Sequence, residues 1–236
     1  MQIIWKGQSC FQIITSQGKD NQVSLVIDPF GPDCGLKVPN LTGDAVLITH
    51  SEQDARYIAT RYNHPSHDNV KALLQQGEAF LINGPGEYEI KGVYIQGIPA
   101  FHDKNFGKPL SSTAGRVTIY TIESEGMRIC HLSDFGQKEL FPEQLEDIGE
   151  IDVLLIPVGG NETIGAEEAQ KIIGQIEPKI VIPMHYSIPK LKAKLAGVDK
   201  FLKVMGEKNH EVLPKLTIKN KDLTSEDEMK IIVLHP

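Results

Sequence analysis

Short apolar runs separated by turn residues dominate the first half of the chain and predict β-strands. The predicted strands cover residues 2–5, 10–15, 23–28, 45–49, 79–83, 93–98, 116–123 and 127–132. The first two flank a polar turn at 6–9 and predict a hairpin, and the third is closed by Pro29, which cannot continue a hydrogen-bonded ladder. Residues 31–43 are rich in Gly, Pro, Asn and Asp and predict a loop.

The second half of the chain alternates between helical and strand patterns. Helices are predicted at 142–145, 166–176 and 198–205, and strands at 153–157, 179–183, 215–218 and 230–234. One more helix is predicted to begin at His67 and to end before Gly77. Alternation of this kind indicates helices packed on a sheet. Because no linker or repeat divides the chain, we expect one domain over residues 1–236.

Composition and charge narrow the classes of partner and compartment. The formal net charge of −7 argues against a nucleic acid backbone as the main partner, since phosphate binding needs clustered Lys and Arg. Three widely spaced cysteines, Cys10, Cys34 and Cys130, favour free thiols in a reducing compartment. No apolar run approaches the roughly 18 residues that span a membrane, and the N-terminus lacks a signal-peptide pattern. We therefore expect a cytoplasmic protein with a small-molecule substrate and no membrane partner; the sequence does not specify an oligomeric state.

Histidines stand at the ends of predicted strands and in the loop after residues 45–49. A single histidine is more often structural than a ligand, but strand ends at one edge of an α/β sheet converge on one crevice. Imidazole nitrogen binds zinc and similar ions at neutral pH, and a carboxylate is what a two-metal site needs to bridge its ions. The pattern predicts a site for one or two divalent ions, zinc first and manganese second. Its predicted ligands are His50, His64, His67, His102, Asp134 and His185.

Seven segments of the chain carry a resemblance to a known family. They are WKGQSCF (5–11), IDP (27–29), TH (49–50), GPGEYE (84–89), IPAFHD (98–103), HLSD (131–134) and IPMHY (182–186). In order and chemistry these segments, spread over residues 1–206, resemble the metallo-β-lactamase fold hydrolases. Within that family they are similar to the branch of ascorbate-6-phosphate lactonase and related bacterial zinc-dependent hydrolases. The resemblance implies an α/β fold, a four-layer αββα sandwich of two mixed β-sheets, with a metal site along one edge.

The resemblance also implies roles for three of the predicted ligands. His102 corresponds to the third histidine of the first metal position, Asp134 to the bridging carboxylate, and His185 to the last histidine of the second position. The opening motif of the family, His-x-His-x-Asp-His, is not matched directly, because His50 is followed by SEQDA.

Two placements of the opening motif compete. Anchored on the strand, the motif falls on His50, Glu52, Asp54 and Ala55. Anchored on the helix, it falls on His50, His64, Ser66 and His67. The first loses two of four ligand types, whereas the second implies an insertion of 12 residues, since 50–67 spans 18 residues against six in the motif (18 minus 6). We prefer the second placement because it keeps three histidines and a helix directly after the last.

The second placement lacks the aspartate of the motif. In such sites that carboxylate binds the second ion and orients the attacking water, so Ser66 weakens the second position. Our hypothesis is that the carboxylate of Asp54 or of Asp68 substitutes for the missing aspartate of the motif.

The leading functional hypothesis is a metal-dependent hydrolase, in which a metal-bound water of lowered pKa attacks an ester, lactone or phosphodiester. The alternative is a non-catalytic or weakly active family member whose degraded metal site acts as a binding module, and the interrupted opening motif motivates it. Three smaller predictions concern other residues. Cys10 and Cys130 are predicted to be buried thiols, and the turn at 159–161 is predicted to open on the metal edge. Tyr186 is predicted to be structural, with a role as an oxyanion donor as the less favoured alternative.

Overall fold

A computed structural model describes residues 1–18, 21–50, 79–102, 115–161, 163–208, 210–223 and 228–236, and the structural statements below concern these residues. The strands, in chain order, are β1 (Gln2–Gly7), β2 (Cys10–Gln17), β3 (Asn21–Ile27), β4 (Ala45–Ile48), β5 (Phe80–Asn83), β6 (Gly86–Ile90), β7 (Val93–Phe101), β8 (Arg116–Ser124), β9 (Met127–His131), β10 (Val153–Pro157), β11 (Ile180–Met184), β12 (Glu211–Leu213), β13 (Leu216–Thr217) and β14 (Lys230–Leu234). The helices are α1 (Pro142–Ile148), α2 (Ala166–Ile176) and α3 (Val198–Met205), with 3₁₀ turns at Pro32–Cys34 and Asn220–Asp222.

The strands form two mixed sheets. The first has the order β13-β1-β2-β3-β4-β5, antiparallel from β13 to β3 and parallel from β3 to β5. The second has the order β12-β14-β11-β10-β9-β8-β7-β6, parallel from β12 to β9 and antiparallel from β9 to β6. Burial follows this topology. Strand β1 alternates between buried and half-buried residues, whereas the parallel strands β10 and β11 are buried at every position.

Strand direction brings the carboxyl ends of several strands to one edge of the molecule. In the second sheet β9 and β11 run parallel, and β7 runs in the same direction because two antiparallel pairings separate it from β9. In the first sheet β3 and β4 run parallel to each other. The residues that follow the carboxyl ends of such strands are the ones that can meet in a crevice.

One continuous apolar core joins the two sheets and the helices. It includes Trp5 and Phe11 from the first sheet, Tyr120 and Leu155 from the second, and Phe201 from α3. Helix α1 packs against β7, and α2 packs against both α1 and α3. A smaller buried cluster contains Cys10, Val26, Phe30, Cys34, Leu41 and Val46.

The predicted fold class, an α/β sandwich of two mixed sheets, is confirmed. The predicted bounds agree with α2, α3, β10 and β14 to the residue. The helix predicted from His67 lies outside the described residues. No helix in the described part of the chain is long and apolar enough to cross a bilayer.

Two strands were not predicted, and both have a physical reason. Strand β6 begins at Gly86, inside a Gly-Pro-Gly stretch that is typical of turns, and lies at the edge of its sheet with most residues exposed. Strand β12 has three residues and also lies at an edge. Edge strands bury few side chains, so their sequences carry little apolar periodicity.

Candidate metal centre

Five chemically active side chains meet where the strand ends of the two sheets converge. They are Asp28 after β3, His50 after β4, His102 after β7, Asp134 after β9 and His185 after β11. All five are buried, with exposures from 0% for Asp134 to 8% for His185. Buried charged or polar groups at this density require partners or a bound ion, since an uncompensated buried charge is costly.

The distances among four of these side chains suit a metal site. The possible ligand atoms of His50, His102 and Asp134 all lie within 4.8 Å of one another. His50 Nε2 is 4.0 Å from Asp134 Oδ2, and His185 Nε2 is 3.7 Å from Asp134 Oδ1. Two atoms bound at about 2.1 Å to a tetrahedral ion lie about 3.4 Å apart, so these separations are close to what an ion imposes. The donor set and its spacing therefore fit a divalent cation.

Asp134 presents its two carboxylate oxygens to different histidines. Oδ2 faces His50, whereas Oδ1 faces His185. The rings of His50 and His102 meet edge to face, with centroids 5.8 Å apart. This arrangement offers one position among His50, His102 and Asp134, and a second beside His185.

A chain of hydrogen bonds sets the tautomer of His50. The Thr49 backbone N–H donates to Asp28 Oδ1 at 2.9 Å, and the Thr49 hydroxyl donates to Asp28 Oδ2 at 2.7 Å. Because the hydroxyl proton is directed to the carboxylate, the Thr49 oxygen accepts from His50 Nδ1, 2.9 Å away. Nδ1 therefore carries the proton and Nε2 keeps the lone pair that a metal ligand needs.

Several residues at this edge have a left-handed backbone conformation. Gln8, Asp28, Ser133 and His185 all have positive φ angles, from 44° at Asp28 to 58° at Ser133. Non-glycine residues adopt this region rarely and at an energetic cost, and such residues cluster at functional sites. Here each of them stands just after the end of a strand, and the turns at Gln8 and Ser133 are followed directly by Ser9 and Asp134, which meet in the crevice.

The turn between β1 and β2 contacts two of the candidate ligands. Ser9 Oγ donates a hydrogen bond to Asp134 Oδ1, and the Gln8 carbonyl accepts from the His185 backbone N–H at 3.2 Å. His131, the last residue of β9, lies beneath this turn, with Nε2 2.9 Å from the Ser9 carbonyl oxygen. Complete burial lowers the pKa of His131 to about 4, so the ring is neutral at physiological pH.

Four of the six predicted ligands are thus brought together by the fold: His50, His102, Asp134 and His185. The other two, His64 and His67, lie outside the described residues. The alternative positions Glu52, Asp54, Ala55, Ser66 and Asp68 also lie outside them.

Sequence reasoning missed the residues that support the ligands, namely Ser9, Asp28, Thr49 and His131. Each falls inside a segment that carried the family resemblance, but no role was assigned to it. The available signal was position, because each stands at or next to the end of a strand that points to the crevice.

The three smaller predictions agree with the structure. Cys10 and Cys130 are fully buried, so the prediction of buried thiols is confirmed, and burial raises the pKa of both thiols. The turn at 159–161 does reach the metal edge, since the Gly159 N–H donates to the His185 carbonyl at 3.1 Å. The structural role predicted for Tyr186 is confirmed. Its hydroxyl donates to the Leu234 carbonyl at 3.0 Å, and its ring packs on Trp5, so it supports the core rather than an oxyanion.

Comparison with known sequences gives a consistent family. A family model described as the beta-lactamase superfamily domain matches residues 2–185. A UPF0173 metal-dependent hydrolase of Thermococcus onnurineus is 30% identical over 225 residues, which cover 89% of this chain and 94% of that protein. A second UPF0173 metal-dependent hydrolase, from Symbiobacterium thermophilum, is 31% identical over 230 residues, covering 90% of this chain and 96% of that one.

Comparison with solved structures agrees with the sequence relatives. A Thermotoga maritima protein, described as a candidate zinc-dependent hydrolase of the metallo-beta-lactamase superfamily, superposes with a TM-score of 0.71 at 33% identity. The match covers 99% of this chain and 97% of that chain. The arrangement of the two sheets is therefore an architecture that this superfamily uses.

Proposed function

Because this chain belongs to the beta-lactamase superfamily and is related over most of its length to metal-dependent hydrolases, we propose that it hydrolyses an ester, lactone or phosphodiester bond of a small molecule with one or two bound divalent ions. The observation that carries the proposal is the convergence of His50, His102, Asp134 and His185 on one buried crevice. Fold alone does not decide chemistry, so the argument depends on these side chains.

Zinc is the first candidate for the ion and manganese the second. Imidazole nitrogens with one carboxylate are a common catalytic zinc donor set, and carboxylate-rich sites also accept manganese. The Thermotoga maritima relative is named as a candidate zinc-dependent hydrolase, which supports the same order.

Divalent ions bound in such sites lower the pKa of a coordinated water and polarise the substrate oxygen, which supplies a nucleophile at neutral pH. Two features of the site favour that chemistry, the tautomer of His50 and the burial of the other ligands. The Thr49 hydroxyl oxygen accepts a hydrogen bond from Nδ1–H of His50, so Nε2 keeps the lone pair that binds a metal ion. Burial of His102 and Asp134 limits the access of bulk water, which strengthens electrostatic interactions within the site.

We propose that His64 and His67 are the remaining metal ligands, as the preferred placement of the opening motif expects. Four alanine variants decide between the placements: H64A and H67A on one side, E52A and D54A on the other. If the preferred placement is correct, bound metal falls in H64A and H67A and stays near the wild-type level in E52A. Loss of metal in D54A as well supports Asp54 as the substitute for the missing aspartate; retention of metal and activity removes that idea.

The central experiment measures metal content and hydrolysis in the same preparations. Wild-type protein purified without added metal is analysed for zinc and manganese, then assayed on a panel of lactones, thioesters and phosphodiesters. We expect close to one or two ions per chain and hydrolysis of at least one substrate class, with both reduced in D134A and neither changed in H210A, a variant at an exposed histidine.

Two outcomes count against the proposal. Less than about 0.2 ion per chain, with no thermal stabilisation by added zinc or manganese, removes the metal site itself, since a specific site couples binding to folding. Metal binding without hydrolysis across the panel favours instead the binding-module alternative.

A further inference from the structure

We propose that Ser9 and His131 are positioning residues that set the orientation of the Asp134 carboxylate across the interface between the two sheets. The inference rests on the proposed function in one respect, that Asp134 is a metal ligand. Neither residue is among the predicted ligands of the metal.

The contacts form a closed ring. Ser9 Oγ donates to Asp134 Oδ1. The Ser9 carbonyl oxygen lies 2.9 Å from His131 Nε2, and the Ser133 backbone N–H lies 3.1 Å from His131 Nδ1. Ser133 is bonded covalently to Asp134, which closes the ring. Both ring nitrogens of His131 are therefore hydrogen-bonded to the backbone of Ser9 and Ser133. The Ser9 hydroxyl in turn binds the Asp134 carboxylate.

The ring has only one arrangement of protons. The Ser133 N–H can only donate, so His131 Nδ1 must accept, and the imidazole proton must sit on Nε2 and point to the Ser9 carbonyl. The Asp134 carboxylate can only accept, so the Ser9 hydroxyl must donate to it. Because only one arrangement of protons satisfies these hydrogen bonds, the ring favours one orientation of the Asp134 carboxylate.

The ring also spans the two sheets. Ser9 lies in the turn between β1 and β2 of the first sheet, and His131 ends β9 of the second. Phe11 packs its ring edge against His131, with centroids 5.7 Å apart at 82°, which restricts rotation of the imidazole. The same turn holds the backbone of His185 through the Gln8 carbonyl. Two candidate ligands of the second sheet are thus held by one turn of the first.

The consequence concerns the second oxygen of the carboxylate. The terminal torsion of an aspartate is broad and roughly two-fold, so an unrestrained carboxylate can rotate. With Oδ1 held by Ser9, Oδ2 is directed toward His50, 4.0 Å away. Without the Ser9 hydroxyl, the separation of Asp134 from His50 is no longer set, and the site loses its pre-arranged geometry.

The chain contains a matched control for the Ser9 hydroxyl. Ser124 is also a buried serine that joins the two sheets, through a 2.7 Å hydrogen bond with Thr15. It ends β8, which runs antiparallel to β7 and β9, so it lies at the opposite edge from the candidate ligands. A role that is only structural predicts similar behaviour for S9A and S124A, whereas a positioning role separates them.

The experiment compares wild type, S9A, S124A, H131Q and H131L in the full chain. Zinc affinity is measured by competition with a chromophoric chelator, and the absorption spectrum of the Co²⁺-substituted protein reports the coordination geometry. We expect S9A and H131L to lose about 10- to 100-fold in zinc affinity and to change the Co²⁺ spectrum, as loss of groups that orient metal ligands does. S124A should keep both properties, even if its thermal stability falls.

The two substitutions of His131 provide the rescue. Glutamine places an N–H near the position of Nε2, so H131Q retains donation to the Ser9 carbonyl and should recover most of the zinc affinity that H131L loses. Zinc affinity and a Co²⁺ spectrum unchanged in S9A overturn the positioning role, as does an equal loss in S124A. Absence of zinc binding in the wild type overturns the proposed function and this inference together, so the two failures are distinguishable.

Discussion

At the scale of single residues, neighbours decide what each histidine of this protein can do. The tautomer of His50 is set through Thr49 by the carboxylate of Asp28, 21 residues before Thr49 in the chain. His131 is held by the Ser9 carbonyl and the Ser133 N–H, and is neutral because it is fully buried. The same side chain thus becomes a candidate ligand at one strand end and a support at another, because the groups around it differ.

The depressed pKa of His131 leads to a pH prediction. The folded-state pKa is about 4, whereas the unfolded chain has an ordinary value near 6.5, so as the pH falls the unfolded chain takes up the proton first. The stability associated with the neutral ring is complete above about pH 6.5 and is lost as the pH falls toward 4, by on the order of 3 kcal/mol. H131Q has no such proton to take up, so its free energy of unfolding should depend less on pH in this window.

The check is urea unfolding of metal-free wild type and H131Q between pH 7 and about pH 4.5. Other titrating groups are shared by both proteins and cancel in the difference. Parallel curves for the two proteins across this range contradict the prediction.

At the scale of elements, the ends of neighbouring parallel strands are packed so closely that only glycine fits at one position. A Cβ built on Gly159, after β10, lies 2.2 Å from the carbonyl oxygen of His185, after β11. Because that distance is far below a van der Waals contact, any side chain at 159 must displace the backbone that carries a candidate ligand.

The element-scale prediction compares two glycine substitutions. G159A should lower the free energy of unfolding by about 1–3 kcal/mol through overpacking and should also weaken zinc binding, because His185 moves. Gly174, exposed in α2 with open space around it, is the matched control: G174A should raise stability by about 0.5–1 kcal/mol and leave zinc binding unchanged. Chemical denaturation and zinc titration of both variants provide the test, and wild-type zinc affinity in G159A would contradict the argument.

At the scale of the whole molecule, the candidate metal centre lies between the two sheets. His50 comes from the first sheet, whereas His102, Asp134 and His185 come from the second. An ion held by both halves ties them together, so its binding free energy adds to the stability of the fold.

Removal of the metal should therefore destabilise the whole protein in one cooperative step. With free zinc at about 1,000 times its dissociation constant, chelation should lower the free energy of unfolding by about 4 kcal/mol. Calorimetry before and after dialysis against a chelator measures this, with D134A as the variant that should show little change. A melting temperature that chelation leaves unchanged contradicts the prediction, and two separated transitions contradict the expectation of one domain.

The sequence by itself determined the elements whose burial is periodic and the chemistry at their ends. Helix α2 and strand β10 were predicted to the residue because each buries a regular face or a continuous run, which local spacing records. The same reasoning placed His50, His102, Asp134 and His185 at the ends of strands. Strands β6 and β12 were not predicted, because edge strands bury few side chains and their sequences show no regular apolar spacing.

Only the tertiary structure decided which atoms face one another. The pairing of Asp28 with Thr49 joins residues 21 positions apart, and the contact of Ser9 with His131 joins residues 122 positions apart. Such contacts depend on strand order and register, which no local pattern records. The physical reason is that a hydrogen bond requires two atoms at a defined distance and angle, whereas a sequence pattern specifies only that a polar residue stands at a strand end.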